Sequence, residues 1–279
     1  MNASPPGIPG ALPGPFWLIG CGNMAGAMLE RWIAAGLDPA QVTVVRPSGK
    51  PVAGGVRVLT ALPEDEVPAL AMLGTKPQKL NEVAPALARA LDARTILVSI
   101  LAGTEQATLR ALFPACGTIV RAMPNTPVRL GKGAIGLFSD SQDRASLATV
   151  ERLMGALGLV EWIGDERLFD AVTALSGSGP AFLFRFIDAL AAAGAGLGLP
   201  RDQAERLALA TVEGAAALAP SAGESPGALA DRVASPGGST RKGLDVLDAD
   251  GRLLALLRDT LEAALKRNRE MAQEARRGG

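Results

Sequence analysis

Phe16-Trp17-Leu18-Ile19-Gly20-Cys21-Gly22-Asn23-Met24-Ala25-Gly26 is the stretch that decides the fold. Its first four residues form an apolar run short enough for a buried strand of a parallel sheet. The next six read G-x-G-x-x-A, and a helical pattern follows in which Met24, Met28, Leu29, Trp32 and Ile33 share one face. Strand, glycine turn and helix in that order are the fingerprint of a dinucleotide-binding βαβ unit. Gly20 allows the tight turn, Gly22 lets a pyrophosphate approach the backbone, and Ala25 lets helix and strand pack closely. Cys21, Asn23 and Met24 complete the loop, and the helix N-terminus offers N–H groups to phosphate. Alone, the hexapeptide also suits an ordinary glycine-rich turn; its place between strand and helix favours nucleotide binding.

About 20 residues on, NAD-binding units carry Asp or Glu for the ribose 2′-hydroxyl. Here the second strand, Gln41 to Val45, ends in Arg46-Pro47-Ser48-Gly49-Lys50. Arg46 can fork onto a phosphate and Ser48 can donate to one, which favours NADPH, with NADH as the second option. The plainer alternative is a basic solvated loop.

The 279 residues are enough for two domains. Lys plus Arg and Asp plus Glu balance at 28 each, so nothing points to nucleic acid, and weak mutual repulsion is compatible with self-association. There is no His and no Tyr, which removes the commonest general acid/base and the commonest metal ligand. Cys21 and Cys116 alone make neither a disulfide framework nor a metal site, so no metal and a reducing compartment are expected. Residues 1–15 are rich in Pro, Gly and Ala without the layout of a signal peptide, and read as a disordered tail. No stretch reaches a transmembrane length. A cytoplasmic protein without membrane contact is expected.

Residues 16–164 alternate strands and helices. Leu70–Gly74, Thr95–Ile100, Thr118–Met123, Gly133–Phe138 and Val160–Ile163 are predicted strands, with a helix near 80–91. In an open parallel sheet ligands sit beyond the carboxyl ends of the strands, so Thr75-Lys76-Pro77, Leu101-Ala102-Gly103 and Pro124–Pro127 should line one crevice. From 165 to 279 no convincing strand remains and Ala, Leu and Gly dominate. Helices are predicted over 168–197, 200–218, from Ser225 as cap, and over 251–276. The fold class is therefore α/β: a Rossmann-like domain over 16–164, then an all-helical domain over 165–279.

Two helical-domain segments are poorly explained by packing. Ser176-Gly177-Ser178-Gly179-Pro180 interrupts a helix where Gly and Pro cost about 1 and 3 kcal/mol. Ser235-Pro236-Gly237-Gly238-Ser239-Thr240 ends at a helix start, making either an anion cradle for carboxylate or phosphate or a plain capped loop.

With Ile19–Met24, Lys76-Pro77, Arg121-Ala122-Met123-Pro124-Asn125-Thr126-Pro127, Leu175–Ala181 and Ser235–Thr240 in this order, the chain resembles the pyrroline-5-carboxylate reductases from Leu18 to about Glu270. The resemblance implies reduction of the C=N bond of 1-pyrroline-5-carboxylate to L-proline by NAD(P)H, the final step of proline synthesis. It also implies a helical domain that interlocks with a partner subunit, in dimers often assembled into decamers, pentamers of dimers. By the same resemblance Gly20–Ala25 hold the pyrophosphate, Arg46, Pro47 and Ser48 lie by the 2′-phosphate, and Thr75, Lys76, Pro77, Leu101 and Ala102 flank ribose and nicotinamide. Ser239 and Thr240 would bind the substrate carboxylate, Ser235 would support that loop, and Glu166 would lie near the substrate across the subunit interface. Thr173, matching a hydroxyl proposed as proton donor to the ring nitrogen, and Lys76 are the catalytic candidates. The chain departs from the family pattern at Met72–Pro77 and at Arg232, where many members have Asn.

A protonated cyclic imine brings its own positive charge, so hydride transfer to it mainly needs orientation, and the lack of His is no objection. One rival, a β-hydroxyacid or 6-phosphogluconate-type dehydrogenase, relies on a Lys early in the second domain; Thr173–Leu199 has none. The other rival is a non-catalytic NADP-binding protein of the same fold.

Overall fold

The computed structural model describes residues 12–277, the side chains of 274–277 excepted. The chain divides into two compact units, one running to Ser178 and resuming at Ala264, the other Gly179–Ala263.

The first unit is built on an eight-stranded sheet: β1 (Phe16–Ile19), β2 (Val42–Val45), β3 (Arg57–Leu59), β4 (Leu70–Leu73), β5 (Ile96–Ser99), β6 (Thr118–Met123), β7 (Gly133–Phe138) and β8 (Gly158–Trp162). Their order is β3-β2-β1-β4-β5-β6-β7-β8. The first six strands are parallel, with the direction of winding reversing between β1 and β4. β1, β2, β4 and β5 are buried along their whole length, as a sheet covered on both faces requires. Phe16 and Leu18 face one layer with α1 (Asn23–Ala34) and α4 (Arg144–Gly155). Trp17 and Ile19 face the other, with α2 (Leu80–Ala90) and α3 (Gln106–Leu112). Trp32 of α1 is fully buried, meets the Phe16 ring edge-on at 5.6 Å, and donates from Nε1 to the Leu153 carbonyl of α4 at 2.8 Å.

Three features differ from expectation. β7 runs antiparallel to β6, because the nine residues between them, 124–132, are too few for a crossover helix. β3 is a three-residue edge strand, too short to show as periodicity. The expected tail over 1–15 lies outside the described residues as far as Ala11; beyond it, Leu12 is buried in the core and the Pro15 carbonyl accepts from the Ala69 amide at 2.9 Å.

The first unit also runs past the expected border at Gly164. A 3₁₀ turn (Glu166–Leu168) and α5 (Phe169–Val172) lead into a single π turn, Thr173–Gly177. Phe169 and Ala174 are buried, and Val172 lies so close to β7 that a Cβ on Gly136 would stand 2.7 Å from its Cγ1. The interruption expected at Ser176–Pro180 is thus a widened turn, not a break, with α6 (Gly179–Gly196) following directly.

The second unit is helical: α6, α7 (Arg201–Leu218), α8 (Pro226–Val233), α9 (Ser239–Asp248) and α10 (Arg252–Arg277), whose residues from Ala264 belong to the first unit. Ser225 caps α8 as predicted, its Oγ accepting from the Ala228 amide. α6 and α7 approach through small residues, with Ala191, Ala204 and Ala208 buried and Gly194 beside Ala204. Phe184, Phe186, Leu197, Leu207 and Leu254 stay exposed, Leu197 by 90%. Such apolar surface marks an interaction face. Among the described residues no helix is long and apolar enough to cross a membrane.

Replacing Trp32 by Phe strands the buried Leu153 carbonyl. The expected loss is about 1–3 kcal/mol, with a further cost from the lost volume. Urea unfolding at constant m-value measures it, and a loss under about 0.5 kcal/mol would show the hydrogen bond to be unimportant.

Candidate functional site

Where the sheet reverses, two loops leave the carboxyl ends of β1 and β4 side by side. Gly20 takes φ +81°, and a Cβ there would lie 2.8 Å from Thr75 Cγ2 and 3.0 Å from the Thr75 nitrogen. Glycine is therefore required both for its conformation and for the close approach. Gly74, a departure from the family pattern, serves the same packing: a Cβ would sit 2.8 Å from the Ala25 methyl and from the Gly20 carbonyl oxygen. Thr75 Oγ1 is buried without a hydrogen-bond partner. A polar atom in that state is free to take a partner from outside the chain, a water or a ligand.

Gly22 is the opposite case, since nothing lies within 4 Å of a Cβ built on it. Gly22 and Asn23 are exposed and Met24 is half-buried. No side chain caps α1 and its first turn holds no acidic residue, so its leading N–H groups remain available to an anion. Cys21 is half-buried between the two glycines. Burial pushes its thiol above the ordinary value, Arg46 opposes that, and Glu30 adds to it. Arg46 is thus within electrostatic reach of the turn, and Pro47 and Ser48 beside it are exposed. The donor set suits a dinucleotide with an extra phosphate: an uncapped helix end, an open glycine, a cation and an unpartnered hydroxyl.

Lys76 is exposed and Pro77 opens a short 3₁₀ turn. Leu101 and Ala102 part company. Leu101 is buried in the core beside α2 and α3, whereas Ala102 is exposed at the end of β5.

Glu166 has partners within its own chain. Its Oε1 accepts from Arg121 Nη1 at 2.5 Å and from the Gln106 amide at 2.6 Å. The Arg121 side chain is only 5% exposed, and its guanidinium stacks 4.3 Å above the Phe169 ring. The same pair lines a recess of about 200 Å³ with Gly103, Glu105, Asp170 and Ala272. Arg121 was missed as a site residue. Its signal was a charge in the middle of an apolar strand, which has to be paired.

Thr173 opens the π turn and donates from Oγ1 to the Phe169 carbonyl at 2.9 Å. Its proton is committed, so toward a ligand this hydroxyl presents lone pairs.

In the second unit, Gly237 takes φ +74° and the Gly238 amide closes a turn on the Ser235 carbonyl at 3.0 Å. α9 begins there with no side-chain cap and no acidic residue in its first turn, and Ser235, Ser239 and Thr240 are exposed. Arg241 holds α9 to α8 through Asp231 at 3.2 Å. Arg232 pairs locally with Glu224. Among the described residues no group of His, Cys, Asp and Glu could hold a metal ion.

Residues 166–271 match the family model described as pyrroline-5-carboxylate reductase dimerisation, and 16–103 match one described as NADP oxidoreductase, coenzyme F420-dependent. The chain is 38% identical over 263 residues to pyrroline-5-carboxylate reductase of Pseudomonas aeruginosa, covering 92% of this chain and 96% of that protein. It is 35% identical over 264 residues to the enzyme of that name from Pisum sativum, covering 91% and 94%. The solved structure of a pyrroline-5-carboxylate reductase from Coxiella burnetii superposes with a TM-score of 0.84 at 32% identity, over 92% of this chain and 98% of that one. With relatives this similar over nearly the whole length of both partners, and with the glycine turn and the helical unit each matched by its own model, the chain belongs to the pyrroline-5-carboxylate reductase family.

Proposed function

We propose that this protein reduces the C=N bond of 1-pyrroline-5-carboxylate to give L-proline, using NADPH. The observation that carries the cofactor side is the pairing of an open Gly22 with the uncapped start of α1, beside a buried, unpartnered Thr75 hydroxyl. Gly20, Cys21, Gly22, Asn23, Met24 and Ala25 would hold the pyrophosphate. Arg46, Pro47 and Ser48 would hold the 2′-phosphate, and Thr75, Lys76, Pro77 and Ala102 would flank ribose and nicotinamide, with Leu101 supporting them from the core. When bound, the nicotinamide supplies the hydride.

The chain's own residues then have two tasks. Ser239 and Thr240, at a helix start rich in unpaired N–H groups, would bind the substrate carboxylate, with Ser235 closing the loop. Thr173, its proton given to Phe169, would accept a hydrogen bond from the protonated ring nitrogen and so fix the ring's orientation. The imine arrives with its proton, so no side chain has to donate one, which fits a chain without His. Glu166, held by Arg121 and the Gln106 amide, would act near the substrate as a fixed charge.

The 16–164 domain would carry the cofactor and 165–279 the substrate loop and the subunit interface. A homo-oligomer is supported by the dimerisation match and by the exposed apolar residues of α6, α7 and α10. A homodimer, assembled further into a decamer, and a cytoplasmic location are the finer proposals.

The reading is tested by NADPH oxidation on adding pyrroline-5-carboxylate; a protein that binds NADPH but leaves the imine unreduced would be the non-catalytic rival. Arg46→Asp should raise KM for NADPH at least about tenfold more than KM for NADH, matching the loss of a charge-assisted phosphate contact. Equal effects would place the 2′-phosphate elsewhere. Because burial pushes its thiol up, Cys21 should react slowly with iodoacetamide at neutral pH, and its rate should keep climbing past the pH at which an ordinary thiol levels off. Cys116, buried and pushed up to about 11, should stay silent in the folded protein. NADPH should protect Cys21, and undiminished labelling at saturating NADPH would remove the cofactor from this loop.

A further inference from the structure

Asn125 has an unusual set of partners. It sits just before the 3₁₀ turn Thr126–Leu130, where an Asn side chain ordinarily caps the turn, yet it makes no capping bond. Instead the side chain is buried and spans two distant segments. Nδ2 donates to the Ser176 carbonyl at 2.9 Å, across 51 residues, and Oδ1 accepts from the Ala134 amide at the head of β7, also at 2.9 Å.

Ser176 lies inside the π turn. There the Ser178 amide reaches back five residues to the Thr173 carbonyl at 3.0 Å, and four residues beyond Ser176 stands Pro180, which has no N–H to give, so the Ser176 carbonyl must find another donor. Asn125 is that donor. One turn earlier, Gly136 of β7 lets Val172 press directly against the sheet. The π turn is therefore tied to β7 on both sides of Thr173, by packing at Val172 and by hydrogen bond at Ser176. Thr173 itself gives its proton to Phe169, so the direction of its lone pairs is set by the rotational phase of this segment.

We propose that Asn125 is a positioning residue for the reaction: by tying the Ser176 carbonyl to the head of β7 it fixes the phase of the π turn and aims the Thr173 hydroxyl at the ring nitrogen. This rests on the reading of Thr173 given above. Asn125 touches neither substrate nor cofactor in this role and acts through Thr173 alone.

The test is a double-mutant cycle with Asn125→Asp and Thr173→Val, read alongside amide hydrogen exchange. Asn125→Asp is isosteric, keeps the acceptor for Ala134, and turns a donor into an oxygen facing the Ser176 carbonyl. It should lower kcat by about 10- to 100-fold, the scale of a small misplacement at a reacting centre, and leave NADPH affinity, read by fluorescence quenching, unchanged. The double variant should be no slower than the slower single one, because both remove the same orienting bond. Exchange at the Ser178 amide should accelerate while the Val120 amide of β6 keeps its protection. Multiplicative losses in the double variant, a full rate in Asn125→Asp or in Thr173→Val, or unchanged Ser178 protection would each overturn the proposal. If Asn125→Asp fails to fold, Asn125→Ala replaces it in the cycle. Failure of both to fold would make Asn125 a requirement of the fold and overturn the positioning role. A wild-type protein inactive on pyrroline-5-carboxylate would instead defeat the functional reading, and the exchange measurement would still decide whether Asn125 clamps the turn.

Discussion

The close approach of Gly20 to Thr75 is the constraint on which the first unit depends. A parallel sheet that winds outward in both directions from one pair of strands must send two neighbouring loops apart at their carboxyl ends. Here those loops leave β1 and β4 with no room for a Cβ on either Gly20 or Gly74. The left-handed turn at Gly20 aims α1 end-on over the crevice, and its leading amides are left without side-chain caps. Packing the two strands and leaving the leading amides of α1 uncapped are thus the same geometric act.

A second constraint lies at the far side of the parallel run. Arg121 would be an intolerable charge in β6 without a partner, and it has a carboxylate on one side and an aromatic face on the other. Both come from residues 166–169, just ahead of the π turn. The pair therefore fastens the start of the helical segment to the sheet, and Glu166 in turn accepts from the first amide of α3. Removing Glu166 would leave the buried Arg121 guanidinium without its carboxylate, whereas Glu166, partly exposed, would keep access to water.

Much of this was legible in the sequence, for identifiable reasons. The Phe16–Gly26 unit shows because its periodicity, glycines and helix pattern are local. The strands at 118–123 and 133–138 show because they are apolar runs bounded by turn residues. The direction of β7 does not show, because it follows from the length of a connection and the choice of neighbour. Gly177, Gly179 and Pro180 betray an interruption, but its form as a π turn does not show, and the Ser176 carbonyl within it is engaged by Asn125 from 51 residues away. The family resemblance alone points to Glu166 as lying near the substrate; that its carboxylate is engaged by Arg121 and α3 is a tertiary fact spanning 45 and 60 residues. Thr173 is singled out by the resemblance alone, and its hydrogen bond to the Phe169 carbonyl does not show, since that depends on helical geometry reaching back four residues.

The far end of α10 has a consequence for how the molecule is made. Ala272 packs against Gly103, and Asn268 reaches the Asp170 carbonyl, so the first unit is finished by residues that follow the whole of 179–263 in the chain. On the ribosome, where domains assemble in order of emergence, the sheet can form early but its last helical buttress cannot. The intervening helices must emerge before that closure, and they do so with their apolar faces open. Synthesis itself therefore enforces a delay between building the nucleotide-binding scaffold and sealing it, during which the helical excursion is tethered at one end only.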